Sequence, residues 1–234
     1  MATRKKFQFR FRFQNLLIWL FLYLVLSPML EGLPHTGLLF QLLFSAVLLS
    51  AVYTINQKDH LARPAIVLLT ISVLLIWINA FALISISNIA IDVLVALYLG
   101  LMVYAFGRYI FTARRIDTEL ICAALCLYFL IGLLWAAVLM LLQECAPGSF
   151  AGSGLNGALS LRTEFHYFNY LSFVTLTTLG YGDITPQTPA AMALCQVEAI
   201  LGQFFIAVLV ARLVGIQVAQ ELTCDQTETT ESKD

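Results

Sequence analysis

Six apolar runs, each parted from the next by a few polar residues or a proline, constrain this chain more than any other feature. The first reads as residues 15–30 with Pro28 near its end, the second as 36–55, and the third as 64–83, where Pro64 suits a first helical turn. The fourth reads as 86–111, the fifth as 118–143 and the sixth as 190–217. A helix rising ~1.5 Å per residue crosses ~30 Å of hydrocarbon in ~20 residues, so most of these runs are long enough to span. The third and fourth are parted only by Ile84 and Ser85, so that boundary is soft. Composition agrees: 60% of the residues are hydrophobic and 12% charged, with a mean hydropathy of +0.86. A water-soluble globule of this size cannot hide so much apolar surface behind so few charges. A soluble enzyme and a disordered chain are both excluded. The expected fold class is an all-α integral membrane protein with six transmembrane helices.

The net charge of −1 says little, but its placement orients the chain. With six spans and both termini cytoplasmic, Arg4, Lys5, Lys6, Arg10, Arg12, Lys58, Arg63, Arg108, Arg114, Arg115, Arg212 and Lys233 all fall on the inner side. Only Arg162 falls outside. Basic residues concentrate on the cytoplasmic side of membrane proteins, and a five-span chain would place one of these clusters outside. No cleavable leader is expected, because Ser27-Pro28-Met29-Leu30 lacks a small-x-small exit. The alternating Phe7, Phe9, Phe11 and Phe13, with Arg10 and Arg12, read as an interfacial anchor. The five cysteines, Cys122, Cys126, Cys145, Cys195 and Cys224, fit no metal-ligand spacing and read as small buried residues.

Between the fifth and sixth runs the chain changes character. Residues 146–160 are rich in Gly and Ser and suit an exposed loop. Residues 164–177 turn apolar again but are too short to span, so they read as a re-entrant helix. That helix runs into Thr178-Leu179-Gly180-Tyr181-Gly182-Asp183. Non-helical backbone at membrane depth must face protein or a watery path. Glycines on either side of Tyr181 allow backbone conformations closed to other residues, and such a backbone can turn successive carbonyls toward one axis. Carbonyl oxygens replace the water shell of a hard cation, and the Thr178 hydroxyl adds one more at the inner end.

The run Thr177-Thr178-Leu179-Gly180-Tyr181-Gly182-Asp183 resembles the selectivity filter of the potassium channel pore family. Leu179 stands where valine is commoner, the usual aromatic pair of the pore helix is here Tyr170-Leu171, and Val174 stands where some bacterial channels carry an acid. The likeness covers about 118–215. More loosely, with Cys145-Ala146-Pro147-Gly148-Ser149-Phe150 and 207–215, the chain is similar to prokaryotic six-span, single-pore channels related to two-pore-domain channels. The resemblance implies K+ held at Thr178, Leu179, Gly180 and Tyr181, with Gly182 closing the filter and Thr177 and Asp183 supporting it. One filter per chain implies a cyclic homotetramer. The domains implied are a basic cytoplasmic N-terminus (1–14), a four-helix membrane domain (15–111), a pore domain (118–217) and a short acidic C-terminal tail (218–234), the tail expected to be disordered past Gln220.

Gly202, twenty positions past Gly182, resembles the hinge glycine of channel inner helices; as a hinge, its change to Ala would lower opening and spare selectivity. Gln203, Ile206 and Val210 share the helix face that the resemblance turns toward the cavity. A voltage sensor needs repeated basic residues within a span, and the fourth run has none before Arg108. Acids at membrane depth are functional candidates: Glu198 for pH-tuned gating, Asp92 for a structural role, with His166 as a possible external pH sensor. The expected function is passive, potassium-selective conduction in a prokaryotic inner (plasma) membrane, with no soluble cofactor, no nucleic acid, and only lipid and further copies of itself as partners. A weakly selective cation channel and a non-conducting regulatory subunit are the alternatives. No enzyme motif is found, and no paired inverted halves mark a transporter.

Overall fold

The computed structural model describes residues 12–29, 36–54, 60–81, 88–113, 116–152 and 161–231. Six long helices correspond to the six apolar runs: α1 (Arg12–Met29), α2 (Thr36–Thr54), α3 (Ala62–Ala80), α4 (Asn88–Thr112), α5 (Thr118–Cys145) and α7 (Pro189–Glu231). Between the last two lie a short strand β1 (Phe150–Gly152), the helix α6 (Leu161–Leu176) and a second strand β2 (Ile184–Pro186). Helices α3, α4, α5 and α7 contain apolar segments long enough to cross a membrane, whereas the apolar parts of α1 and α2, Phe13–Met29 and Leu38–Thr54, are shorter.

Local chemistry sets several boundaries. Asp117 caps α5 by accepting the Leu120 N–H at 2.9 Å, and Pro189 begins α7, where a missing N–H costs nothing. The Thr188 hydroxyl accepts the Ala191 N–H at the same terminus. Each of α1 to α4 packs on the next, α4 packs on α5, and α1 returns to α5. Tyr98 of α4 reaches across to donate to the Leu48 carbonyl of α2 at 2.5 Å, and Trp77 of α3 donates to Ser45 of α2. The face that α4 buries is Ile91, Val95, Tyr98, Leu99, Met102, Phe106 and Ile110, with no basic residue among them.

Four expectations need correction. Phe13 is a core residue rather than an interfacial anchor: it is 7% exposed, stacks on Tyr109 at 5.1 Å and meets Phe106 edge-on at 5.4 Å. Phe7, Phe9 and Phe11 lie outside the described residues. The loop after α5 is not wholly exposed, since Ser149 and Phe150 are buried and β1 pairs antiparallel with β2. Phe150 packs edge-on against Phe168 of α6, which gives an apolar reason for the strand to fold back. The tail past Gln220 continues α7 to Glu231 rather than ending in disorder; helix propagation is cooperative, and Glu221, Leu222, Gln226, Glu228 and Glu231 are good helix formers. The cysteines are not all small buried residues either: Cys145, at the end of α5, is exposed, Cys122 and Cys195 are half-buried, and Cys126 is buried.

Candidate functional site

Helix α6 has 16 residues, hence a length of about 24 Å, and is packed against α5 and α7. Two close approaches hold it. A side chain at Gly132 of α5 would collide with the Phe173 ring, whose Cζ lies 2.6 Å from the Cβ position. The Ser172 Oγ sits 2.8 Å from the Gly132 carbonyl and 2.5 Å from Glu198 Oε1 of α7. Glu198 is fully buried, so one polar cluster ties α5, α6 and α7 together. The sequence marks Glu198 as an acid at membrane depth but not its partners; Ser172 and Gly132 stand out only as small residues within apolar helices.

At its C-terminus α6 gives up its helical geometry over the run that follows. The N–H groups of Thr177, Thr178, Leu179 and Gly180 donate back to the carbonyls of Phe173, Thr175, Val174 and Val174, at 2.9–3.2 Å. Their amides are thereby used up by the end of α6. The carbonyls of Thr178, Leu179, Gly180 and Tyr181 accept no backbone hydrogen bond among the described residues. Positive φ recurs at alternate positions, 58° at Thr178, 58° at Gly180 and 77° at Gly182. Glycine takes that region freely, whereas a β-branched residue takes it at a cost of order 1–3 kcal/mol, so Thr178 stores strain where Gly180 and Gly182 do not. Residues 177 to 183 are all exposed on the single chain, Tyr181 at 67%.

The surroundings brace this loop. Gln203 Nε2 of α7 donates to the Thr178 hydroxyl at 3.1 Å, joining a residue expected to line the cavity to the inner end of the loop. Ile206 and Val210 continue the same exposed face. At the outer end the Tyr170 hydroxyl donates to Asp183 Oδ2 at 2.7 Å, while Asp183 Oδ1 accepts the Ile184 N–H. Burial, then the Asp183 hydrogen bond and its charge, push the Tyr170 hydroxyl up to about 12, so it stays a donor in ordinary buffers. The departure Tyr170-Leu171 therefore leaves the loop braced by its tyrosine. The strand pair closes this end of the loop, with Gly152 so close to the Asp183 carbonyl that no side chain fits there.

Gly202 is buried against the end of α6, and a Cβ there would overlap the Leu176 carbonyl oxygen. The glycine read as a hinge is also a packing contact one residue before Thr177. Val174 is buried, and His166 is 9% exposed at the start of α6. Asp92 faces the carboxyl of Glu144 rather than a base. Arg212 is more than a topology anchor: it donates to the Phe111 and Ala113 carbonyls at 2.7 and 3.0 Å, joining α7 to the end of α4.

Residues 123–218 match a family model described as an ion channel. The match begins in the second turn of α5, contains α6 and the 177–183 loop, and ends where the apolar length of α7 ends. It supports an ion channel rather than an enzyme, in a multi-pass, mostly helical membrane protein. The comparison with curated proteins finds no match.

Proposed function

We propose that this chain forms a potassium-selective channel, a homotetramer whose four 178–182 loops surround one conduction axis. The observation that carries the reading is the division of labour in the loop backbone. The N–H groups are committed to α6, and the carbonyls of Thr178, Leu179, Gly180 and Tyr181 are left without backbone partners. Backbone acceptors at membrane depth need a partner. A dehydrated K+ supplies one when several copies present their carbonyls together.

Exposed apolar surface supports the oligomer as well as symmetry does. Ile200, Leu201, Phe204, Val208 and Val214 of α7 are each 47–63% exposed on the isolated chain. Neighbouring copies would cover part of that surface, and Gln203, Ile206 and Val210 would face the inner cavity. Thr177 and Asp183 support the filter, Gly202 serves as the gating hinge, and Glu198 tunes gating through Ser172. All six long helices would cross a plasma membrane, with α6 re-entrant and both termini cytoplasmic. The division into an N-terminal segment 1–14, a bundle 15–111, a pore domain 118–217 and a tail 218–234 belongs to the same reading. The apolar buried face of α4 favours gating without a basic voltage-sensing helix.

Flux of radioactive rubidium, a K+ surrogate, into liposomes holding the purified chain tests this. Uptake is expected with a K+ gradient and abolished by Gly180→Ala; uptake that Na+ carries equally well refutes selectivity.

A further inference from the structure

A cavity of about 120 Å³ lies where the four-helix bundle meets the start of α6. It has room for a few waters or one small organic molecule. One wall is aromatic: Tyr23 of α1, Phe40 and Phe44 of α2, and Phe165 and His166 of α6. The rings form a connected set. Tyr23 and Phe44 lie 5.7 Å apart, Phe44 meets Phe165 at 5.5 Å, and Phe40 stacks on His166 at 5.9 Å with planes 5° apart. The rest of the lining mixes apolar side chains with a polar group. Asp92 of α4 is in that group, its Oδ2 buried with no hydrogen-bond partner among the described residues, and the carboxyl of Glu144 near the end of α5 lies close by. Two neighbouring acidic side chains make this end of the cavity attractive to a cation and unfavourable to an anion. Beside them, Asn79 donates to Asn88 at 3.0 Å, and Gln41 Oε1 is buried with no hydrogen-bond partner among the described residues.

These walls make opposite demands that few ligands meet. An anion is repelled by the carboxyl pair. A purely apolar ligand leaves the buried Asp92 Oδ2 and Gln41 Oε1 without partners. A bare metal ion gains little from the aromatic wall and would need more oxygen ligands. An ammonium group satisfies both sides, since its charge attracts the carboxyl pair and the ring faces together. We infer that this cavity binds a small organic ammonium ion, held between the aromatic rings and the Asp92–Glu144 pair. The bound ion would tie the bundle to Phe165 and His166 on α6, the helix whose far end anchors the 177–180 amides. It gives the first four helices a role that does not depend on potassium selectivity.

The test is isothermal titration of the purified full-length chain in lipid nanodiscs with methylammonium and with tetramethylammonium. At least one probe should bind saturably. Asp92→Asn and Phe44→Leu should each weaken that binding at least tenfold. Exchanging K+ for Na+ at constant ionic strength should leave it unchanged. Phe44→Leu keeps an apolar side chain and removes only the ring, so it decides the matter if Asp92→Asn fails to fold. The proposal is overturned by no saturable binding of either probe, by binding that survives Phe44→Leu, or by binding that K+ displaces, which would place the probe in the ion path.

Discussion

Gly202→Ala separates a hinge from a packing contact. A Cβ at this position would overlap the Leu176 carbonyl oxygen and come within 3.0 Å of its carbon and 3.1 Å of its Cδ1. Ordinary contacts begin near 3.4 Å. The obstruction is main chain, which cannot swing aside as the tip of a side chain does. Restoring contact distance means moving that carbonyl by about 1 Å in an interior as dense as a crystal. Overpacking of this kind costs about 1–3 kcal/mol, while Ala in place of a mid-helix Gly returns about 1 kcal/mol. The net loss is therefore about 0–2 kcal/mol, small enough for the protein to fold and assemble. The displacement falls one residue before Thr177, within the turn whose carbonyls bind the loop amides, so the 177–180 loop should move with it. Gly215→Ala, on the same helix with nothing within 4 Å of the new methyl, is the matched control. Single-channel recording in mixed K+ and Na+ should show altered conductance or relaxed selectivity for Gly202→Ala and neither for Gly215→Ala. Reduced opening with unchanged conductance and selectivity would refute the packing argument and leave only the hinge.

Three further outcomes follow from the contacts. The Ser172 hydroxyl has one proton but two acceptors at bonding distance, so Glu198→Gln, which supplies a donor, should be tolerated, and Glu198→Ala should cost about 1–3 kcal/mol by thermal unfolding. A pH response of the current that is unchanged in Glu198→Gln removes the gating role proposed for that acid. Tyr170→Phe deletes the donor to Asp183 and should destabilise the outer mouth by about 1 kcal/mol, given the tyrosine's exposure, with shorter open times as the readout. Because the Tyr170 pKa is raised in the fold, its contribution is complete below the ordinary tyrosine value near 10 and is lost as pH rises through about 12; loss beginning near neutral pH would contradict this. Arg212→Gln removes the charge-assisted bonds to the Phe111 and Ala113 carbonyls and should shift open probability without changing selectivity, whereas an unchanged open probability would exclude a coupling role.

The helices were legible because lipid demands long apolar runs, and α2 and α5 begin at the residues that the runs suggest. The loop at 177–183 was legible because two glycines and a threonine at that spacing serve a backbone that few other residues permit. What stayed hidden depends on neighbours far away in the chain. Nothing in the alternation of Phe7 to Phe13 distinguishes an interfacial ring from one stacked on Tyr109. Nothing local to Asp92 reveals that its partner is Glu144, more than fifty residues on. Ser172 and Gly132 look like ordinary small residues until α5 and α6 are brought together. The helical tail was missed because its polarity suggested disorder, whereas a helix already formed through 218 lets good helix formers continue it.

The central claim is that the 178–182 backbone selects K+. Planar-bilayer recording of the purified protein with K+ on one side and Na+ on the other tests it most directly. The account predicts a reversal potential set by the K+ gradient, little dependent on voltage history, and collapsed by Gly180→Ala. A reversal potential near zero in the unmodified protein, or no unitary current at all, would contradict it.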